Sequence, residues 1–247
     1  MVMSKTAIVT GASRGIGLGI ATRLAERGYG LTISARDPGR LKDIANRLCL
    51  IGSADVTSVA GDMADPGIAA RVAAAHREKF ESVDALILNA GVGTAGRIDS
   101  FPMRRFDKTV AVNLRAPLAL LQATLPLLRR AAADKPDNGA KVIALSSITG
   151  VHGQPDLAVY GATKAALISL VETFNAEESG AGVSATAIAP GYVDTDMAAW
   201  THDSIPADTM IKVGDIIEIV DMLLRISAAA VVPSVVISRA GTDGWRA

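Results

Sequence analysis

Tyr160 and Lys164 stand four residues apart in the stretch YGATK, and the serine pair Ser146-Ser147 precedes them by about a dozen residues. On a helix, positions i and i+4 share a face one turn apart, so a phenol and an ammonium would lie side by side. A nearby cation favours the phenolate, and a phenol tuned in this way serves as general acid or base toward a reacting oxygen. The same spacing also occurs as an ordinary helix-face pair. What the rest of the chain brings to it decides between the two.

A second group of residues is suited to phosphate. Thr10-Gly11-Ala12-Ser13-Arg14-Gly15-Ile16-Gly17 follows a short apolar run and opens an amphipathic segment. Glycines allow a tight turn and close backbone approach, and the next helix then points its free N–H groups and positive dipole at a pyrophosphate. Gly11, Ser13, Arg14, Gly15, Ile16 and Gly17 are the candidate contacts. The run GLTISA ends at Ala35 and is followed by Arg36. Arg14 and Arg36 together suit the 2′-phosphate of NADP through charge-assisted bonds. Asp37 is expected either to pair with Arg36 or to face a ribose.

These residues need a scaffold. Seven short runs read as strands: 6–10, 30–35, 56–61, 84–90, 141–147, 183–190 and 234–238. They are mostly continuous apolar runs, as expected of strands covered on both faces. Helix patterns fill 15–28, 38–48, 66–79, 102–130, 156–179 and 214–226. The alternation predicts an α/β protein, a doubly wound seven-stranded parallel sheet in a single domain over residues 1–247. Ligands in such sheets bind at the carboxyl ends of the strands. The stretches LNAGVG (88–93), LSSITG (145–150) and APGYVDTDM (189–197) all fall there. Residues 132–139 read as a polar connection, and residues 198–208 as a longer loop able to cover a site.

Composition narrows the function classes. Apolar residues make up 49% and charged residues 20%, which is a globular balance. Twenty-five basic residues offset twenty-five acidic ones, so no global charge draws the chain to nucleic acid or an anionic membrane. With one cysteine, Cys49, and three scattered histidines, neither an internal disulfide nor a metal site is expected. Cys49 is expected to pack near a helix end. The first residues lack a signal-peptide pattern, and the most apolar stretch, 110–128, is interrupted by Asn113, Arg115 and two prolines. The expectation is a soluble cytoplasmic protein without a membrane span.

Taken together, TGASRGIG at 10–17, NAG at 89–91, Asn113 in VNL, SS at 146–147, YGATK at 160–164 and PGYVDTDM at 190–197 resemble the short-chain dehydrogenase/reductase family over essentially the whole chain. The resemblance implies a Rossmann fold and an oxidoreductase using NADP (NADPH). It makes Tyr160 the general acid/base and Lys164 the charge that lowers its pKa and holds the nicotinamide ribose. Ser147 would bond the substrate oxygen, Ser146 would be structural, and Asn113 would hold a water in a proton relay. Asn89, Ala90 and Gly91 would border the cofactor, and Asp62 with Met63 would meet the adenine. Pro190, Gly191, Val193 and Thr195 would dock the carboxamide and diphosphate.

The substrate stays open at this stage. A small ketone, aldehyde or diketone fits an apolar pocket of Val151, His152, Gln154, Leu157, Tyr192, Met197 and Trp200. A 3-oxoacyl chain on acyl carrier protein would want a basic patch. Arg104, Arg105, Arg129 and Arg130 offer one, but NAEESGAG at 175–182 is acidic where carrier-protein reductases often carry arginine. NAD-linked alcohol oxidation and a non-catalytic NADP-binding sensor or scaffold are the remaining alternatives. By resemblance, 102–130 and 156–179, with Ala158, Ala162, Ala166 and Leu170 on the second, would form a homodimer or homotetramer interface. The ending SRAGTDGWRA departs from the family's usual Asp-Gly-Gly turn.

Overall fold

The β-branched and small apolar runs form seven strands: β1 (Thr6–Thr10), β2 (Gly30–Ala35), β3 (Val56–Ala60), β4 (Ala85–Leu88), β5 (Ala140–Leu145), β6 (Val183–Pro190) and β7 (Ser234–Ile237). In this computed structural model, which describes residues 5–244, all neighbours pair in parallel in the order β3-β2-β1-β4-β5-β6-β7. The order reverses at β1, which lies between β2 and β4. The carboxyl ends of β1 and β4 are therefore the switch point where a ligand crevice opens.

Alternate residues of each strand feed two cores. Ala7 and Val9 of β1 pack with Ile20 and Leu24 of α1 (Gly15–Glu26), Leu41 and Leu48 of α2 (Pro38–Ile51), and Val220 of α7 (Val213–Leu223). Ile8, between them, packs with Val72 of α3 (Ile68–Lys79), Leu128 of α5 (Ala116–Asp134) and Val171 of α6 (Ala158–Glu178). The inner strands are buried along their whole length, while β3 and β7 are half-exposed edges.

The segment expected as one helix over 102–130 is built differently. α4 (Met103–Val110) runs into a π-helical turn (Ala111–Arg115) and then into α5. The Ala116 N–H reaches back five residues to Ala111 O. Pro117, which cannot donate, follows the π-helical turn within this continuous helix, where the regular hydrogen-bond ladder is already interrupted. α5 runs on to Asp134, so the expected polar connection at 132–139 shrinks to the turn before β5. Met103–Asp134 is one helix long and apolar enough to cross a membrane by length and composition, contrary to the sequence expectation. Its Leu120, Leu121, Leu127 and Leu128 are buried in the core between the sheet, α3 and α6. Cys49 lies near the end of α2, as expected, but is exposed rather than packed.

Buried polar ties hold the amino edge of the sheet. The Asp84 carboxylate accepts from Thr6 N at 2.7 Å and pairs with Lys135 at 2.5 Å. Lys141 donates to Ser184 Oγ at 3.0 Å and to Ser227 O at 3.1 Å. The fully buried His76 ring joins Thr32 Oγ1 and Ser82 O, each at 2.9 Å.

Candidate active site

The glycine loop turns between β1 and α1 and is buttressed by the NAG turn after β4. Asn89 donates its amide to Thr10 O at 2.9 Å and Gly11 O at 3.2 Å. The Asn89 and Ala90 N–H groups both donate to Thr10 Oγ1 at 3.1 Å. Gly17 sits so close to this junction that a Cβ there would lie 2.3 Å from Gly11 O and from the Asn89 amide. Gly17 therefore packs the loop and does not line the crevice, unlike the other glycine-loop positions named from the sequence. The α1 N-terminus faces the same opening with its first N–H groups free of intrahelical partners.

That opening is a cavity of about 840 Å³ running along the carboxyl edge of the sheet. Arg36 lines it at the end of β2, and Asp62 and Met63 line it after β3. Asp62 Oδ1 accepts from Ala64 N at 2.9 Å, and Lys108 lies 3.7 Å from Oδ2. Asp37 neither pairs with Arg36 nor turns to the cavity. It caps α2, accepting from Arg40 N at 3.1 Å, because a carboxylate at this position satisfies one of the free N–H groups of the first turn. Arg14 is held by Asp196 at 2.9 Å.

At the reacting end, α6 lies hard against the turn after β5. A Cβ on Gly161 would stand 2.7 Å from Thr149 O. Ser146 Oγ donates to Lys164 O at 2.8 Å, and Ser146 also lines the cavity. Ser147, Tyr160 and Lys164 all face the cavity. Thr149, which carries no recognisable sequence signal, donates to Ser147 Oγ at 3.0 Å and fixes that hydroxyl.

The electrostatics differ from the sequence expectation. Burial pushes the Tyr160 phenol up to about 12, and the opposing pull comes from a hydrogen bond with Ser147. Lys164 Nζ is turned to Leu145 O at 2.6 Å and lies 5.6 Å from the Tyr160 ring centre. Burial brings its own value down to about 8. Lys164 is buried and Tyr160 half-buried, and removal from water favours the neutral form of each. The phenol is held protonated.

Asn113 sits in the π-helical turn but not on the cavity wall. Its Oδ1 accepts from Val92 N at 2.9 Å, and its Nδ2 donates to Val92 O at 3.1 Å and Thr163 Oγ1 at 3.2 Å. It ties the β4 turn to α6; the side-chain amide is committed to these bonds and not turned to the cavity. Of the expected substrate residues, Leu157, Tyr192, Met197 and Trp200 line the cavity, whereas Val151, His152 and Gln154 do not. The short turn Ile148–Gly150 sends Val151 outward, where it is exposed. Arg105, named from the sequence for a basic patch, lines the cavity, as does Lys108 of α4, which was not anticipated as a site residue. No group of three potential metal ligands occurs among the described residues.

Comparison with known proteins agrees with this layout. An oxidoreductase of Staphylococcus epidermidis is 35% identical over 205 residues, covering 81% of this chain and 83% of its own. The rhamnolipids biosynthesis 3-oxoacyl-[acyl-carrier-protein] reductase of Pseudomonas aeruginosa is 36% identical over 194 residues, or 78% of this chain and 74% of that one. The alcohol dehydrogenase of the archaeon Thermococcus sibiricus, solved with 5-hydroxy-NADP, superposes with a TM-score of 0.86 at 29% identity, covering 97% and 98% of the two chains. Residues 5–205 match the family described as short chain dehydrogenase, and the chain belongs to that family of oxidoreductases.

Proposed function

We propose that this chain is an NADPH-dependent carbonyl reductase that converts a small ketone, aldehyde or diketone to the alcohol. The observation that carries the reading is the convergence of Ser147, Tyr160 and Lys164 on one cavity with the phenol held protonated. A protonated phenol is the form that donates to the oxygen of a carbonyl as it is reduced. Ser147, on the same cavity wall as Tyr160 and oriented by Thr149, bonds the same oxygen and stabilises its developing charge. Proton transfer from a positioned group is worth roughly 10²–10⁴-fold. Lys164 holds the ribose beside the phenol, and Asn113 positions the β4 turn against α6.

The cavity fits a dinucleotide. The glycine loop, with Ser13, Gly15 and Ile16, takes the diphosphate at the α1 N-terminus. Asp62 and Met63 take the adenine, and Asn89, Ala90 and Gly91 border it. Pro190, Gly191, Val193 and Thr195 take the carboxamide end. The bound cofactor supplies the hydride. The end of β2 favours NADPH: it offers Arg36 to the cavity and turns the nearest carboxylate, Asp37, into a helix cap.

The apolar lining from Leu157, Tyr192, Met197 and Trp200 favours a compact substrate. The Pseudomonas relative supports a second reading, reduction of a 3-oxoacyl carrier-protein chain. Against it, Glu178 grips Arg129 through two bonds, and Glu81 pairs with Arg130, so half of the expected basic patch is neutralised. Exposed Ala158 and Ala162, beside half-buried Ala166 and Leu170, support a homodimer or homotetramer through α4–α5 and α6.

The test is NADPH and NADH consumption by pure protein against diketones, aldehydes and a 3-oxoacyl thioester. Turnover of a small carbonyl with NADPH preferred is expected; preference for the thioester would select the carrier-chain reading. Tyr160→Phe should bind NADPH as before and lose roughly 10²–10⁴-fold in turnover. Rates near wild type in that variant would remove Tyr160 from the chemistry. Tight NADPH binding with no turnover on any member would favour the sensor reading.

A further inference from the structure

Arg14 and Asp196 form an ion pair across the mouth of the crevice, Nη1 to Oδ2, at 2.9 Å. They are 182 residues apart. Arg14 follows β1 and Asp196 follows β6, three strands along the sheet. Arg36 follows β2, on the opposite side of β1. The Arg14 guanidinium is therefore engaged toward the β6 half of the crevice, away from the arginine with which it would share a 2′-phosphate. Among the described residues, Arg14 has no other carboxylate partner.

The segment bearing Asp196 is anchored on both sides. Asp194 lies 3.5 Å from Lys212 Nζ, and Lys212 also donates to Ala207 O at 2.7 Å. Thr195 between the two carboxylates abuts the glycine loop, its methyl 3.4 Å from where a Gly15 Cβ would stand. This frame holds Asp196 in reach of Arg14. One guanidinium cannot make its best bonds to a carboxylate and to a phosphate on the far side of β1 at once.

We propose that Asp196 is a specificity-determining residue that competes with the cofactor's 2′-phosphate for Arg14. The proposal rests on the dinucleotide reading given above. NADH, which lacks the phosphate, leaves the Arg14–Asp196 pair intact. NADPH draws Arg14 toward Arg36 and must break it. The ion pair thus holds the preference for NADPH below what two free arginines would give. A ligand shifts such an equilibrium only through its different affinity for the two states, and here the difference is one phosphate.

The test is a fluorescence titration of the full chain with NADPH and NADH at one fixed salt concentration. Both side chains are more than half exposed, so the variants should fold, and a melting curve checks this. Pairs this exposed are weak, and Asp196→Asn should raise the NADPH-over-NADH affinity ratio by roughly two- to fivefold. Arg14→Ala should lower that ratio, and adding Asp196→Asn to Arg14→Ala should leave it there. A ratio unchanged or lowered by Asp196→Asn alone would overturn the proposal. So would a rise that persists without Arg14. Binding of neither nucleotide by the wild-type chain would instead overturn the dinucleotide reading on which it rests.

Discussion

At the amino edge of the sheet the buried Asp84 carboxylate meets a backbone N–H and the Lys135 ammonium. At the carboxyl edge Lys164 is just as buried, yet its partner is the carbonyl oxygen of Leu145, and no carboxylate lies within 4 Å among the described residues. The first arrangement offsets the cost of removing charge from water. The second leaves most of that cost standing, and brings Lys164 down to about 8. Lys141 shows that the contrast is one of degree: it too lacks a carboxylate, but two oxygens accept from it. Buried charge at one edge ties strands together, and at the other it lines the cavity without a carboxylate partner among the described residues.

Replacing Lys164 tests the contrast most sharply. Lys164→Met should lower turnover by roughly 10²–10⁴-fold while its Tm at pH 7 stays level or rises. In the wild type, both folded and unfolded chains carry the ammonium at pH 7. As pH rises from about 8 toward 10.5, the unfolded chain keeps the proton and the folded one does not, so stability should rise through that window. The Met variant should lose this rise. A clear fall in its Tm at pH 7 would mean that the ammonium stabilises the fold, and the contrast between the edges would vanish.

Asp84→Ala should do the reverse. Breaking a buried pair and a backbone bond should cost about 3 kcal/mol, a fall in Tm of roughly 6–12 °C for a chain of this size. The cofactor preference of the folded protein should not change. A shifted NADPH-to-NADH ratio would show that the two edges are coupled.

The smallest expected effect concerns His76. Burial lowers its pKa, so the folded chain resists a proton that the unfolded chain takes up. Stability should fall as pH drops below the unfolded value of about 6.5, by at most about 2 kcal/mol at pH 5. His76→Gln should flatten that part of the stability curve in denaturant titrations at pH 5 and 7. An unchanged slope would place the acid sensitivity elsewhere.

The two edges were not equally legible in the sequence. Inner strands are covered on both faces, so they read as unbroken apolar runs, and residues 183–190 form β6 with the bounds expected of them. The site motifs were legible because each is local: a glycine turn, a serine pair, a phenol and an ammonium one helical turn apart. What escaped depends on contacts between distant segments. Asn113, in the π-helical turn, meets Val92, 21 residues back. Arg14 meeting Asp196 and Asp84 meeting Lys135 leave no periodic trace. The upward shift of the Tyr160 phenol depends on how much protein surrounds it, which spacing alone does not encode. The ending Trp245 to Ala247 lies outside the described residues, as do residues 1–4.

The turn at Ala111–Arg115 makes the site sensitive to the number of residues and not only to their kinds. A π-helical turn holds one residue more than an α-helix needs for the same span. Loss of a single codon there would restore a regular helix with α4 and α5 kept in place, and only the residues of the turn itself would be re-aimed. Loss of Ala111, Val112 or Leu114 would remove no charged or hydrogen-bonding side chain. Yet Asn113 would turn away from Val92 and Thr163, and the β4 turn would lose its tie to α6. In-frame deletions through 111–115 should therefore be far less tolerated than substitutions on the exposed face of the same helix.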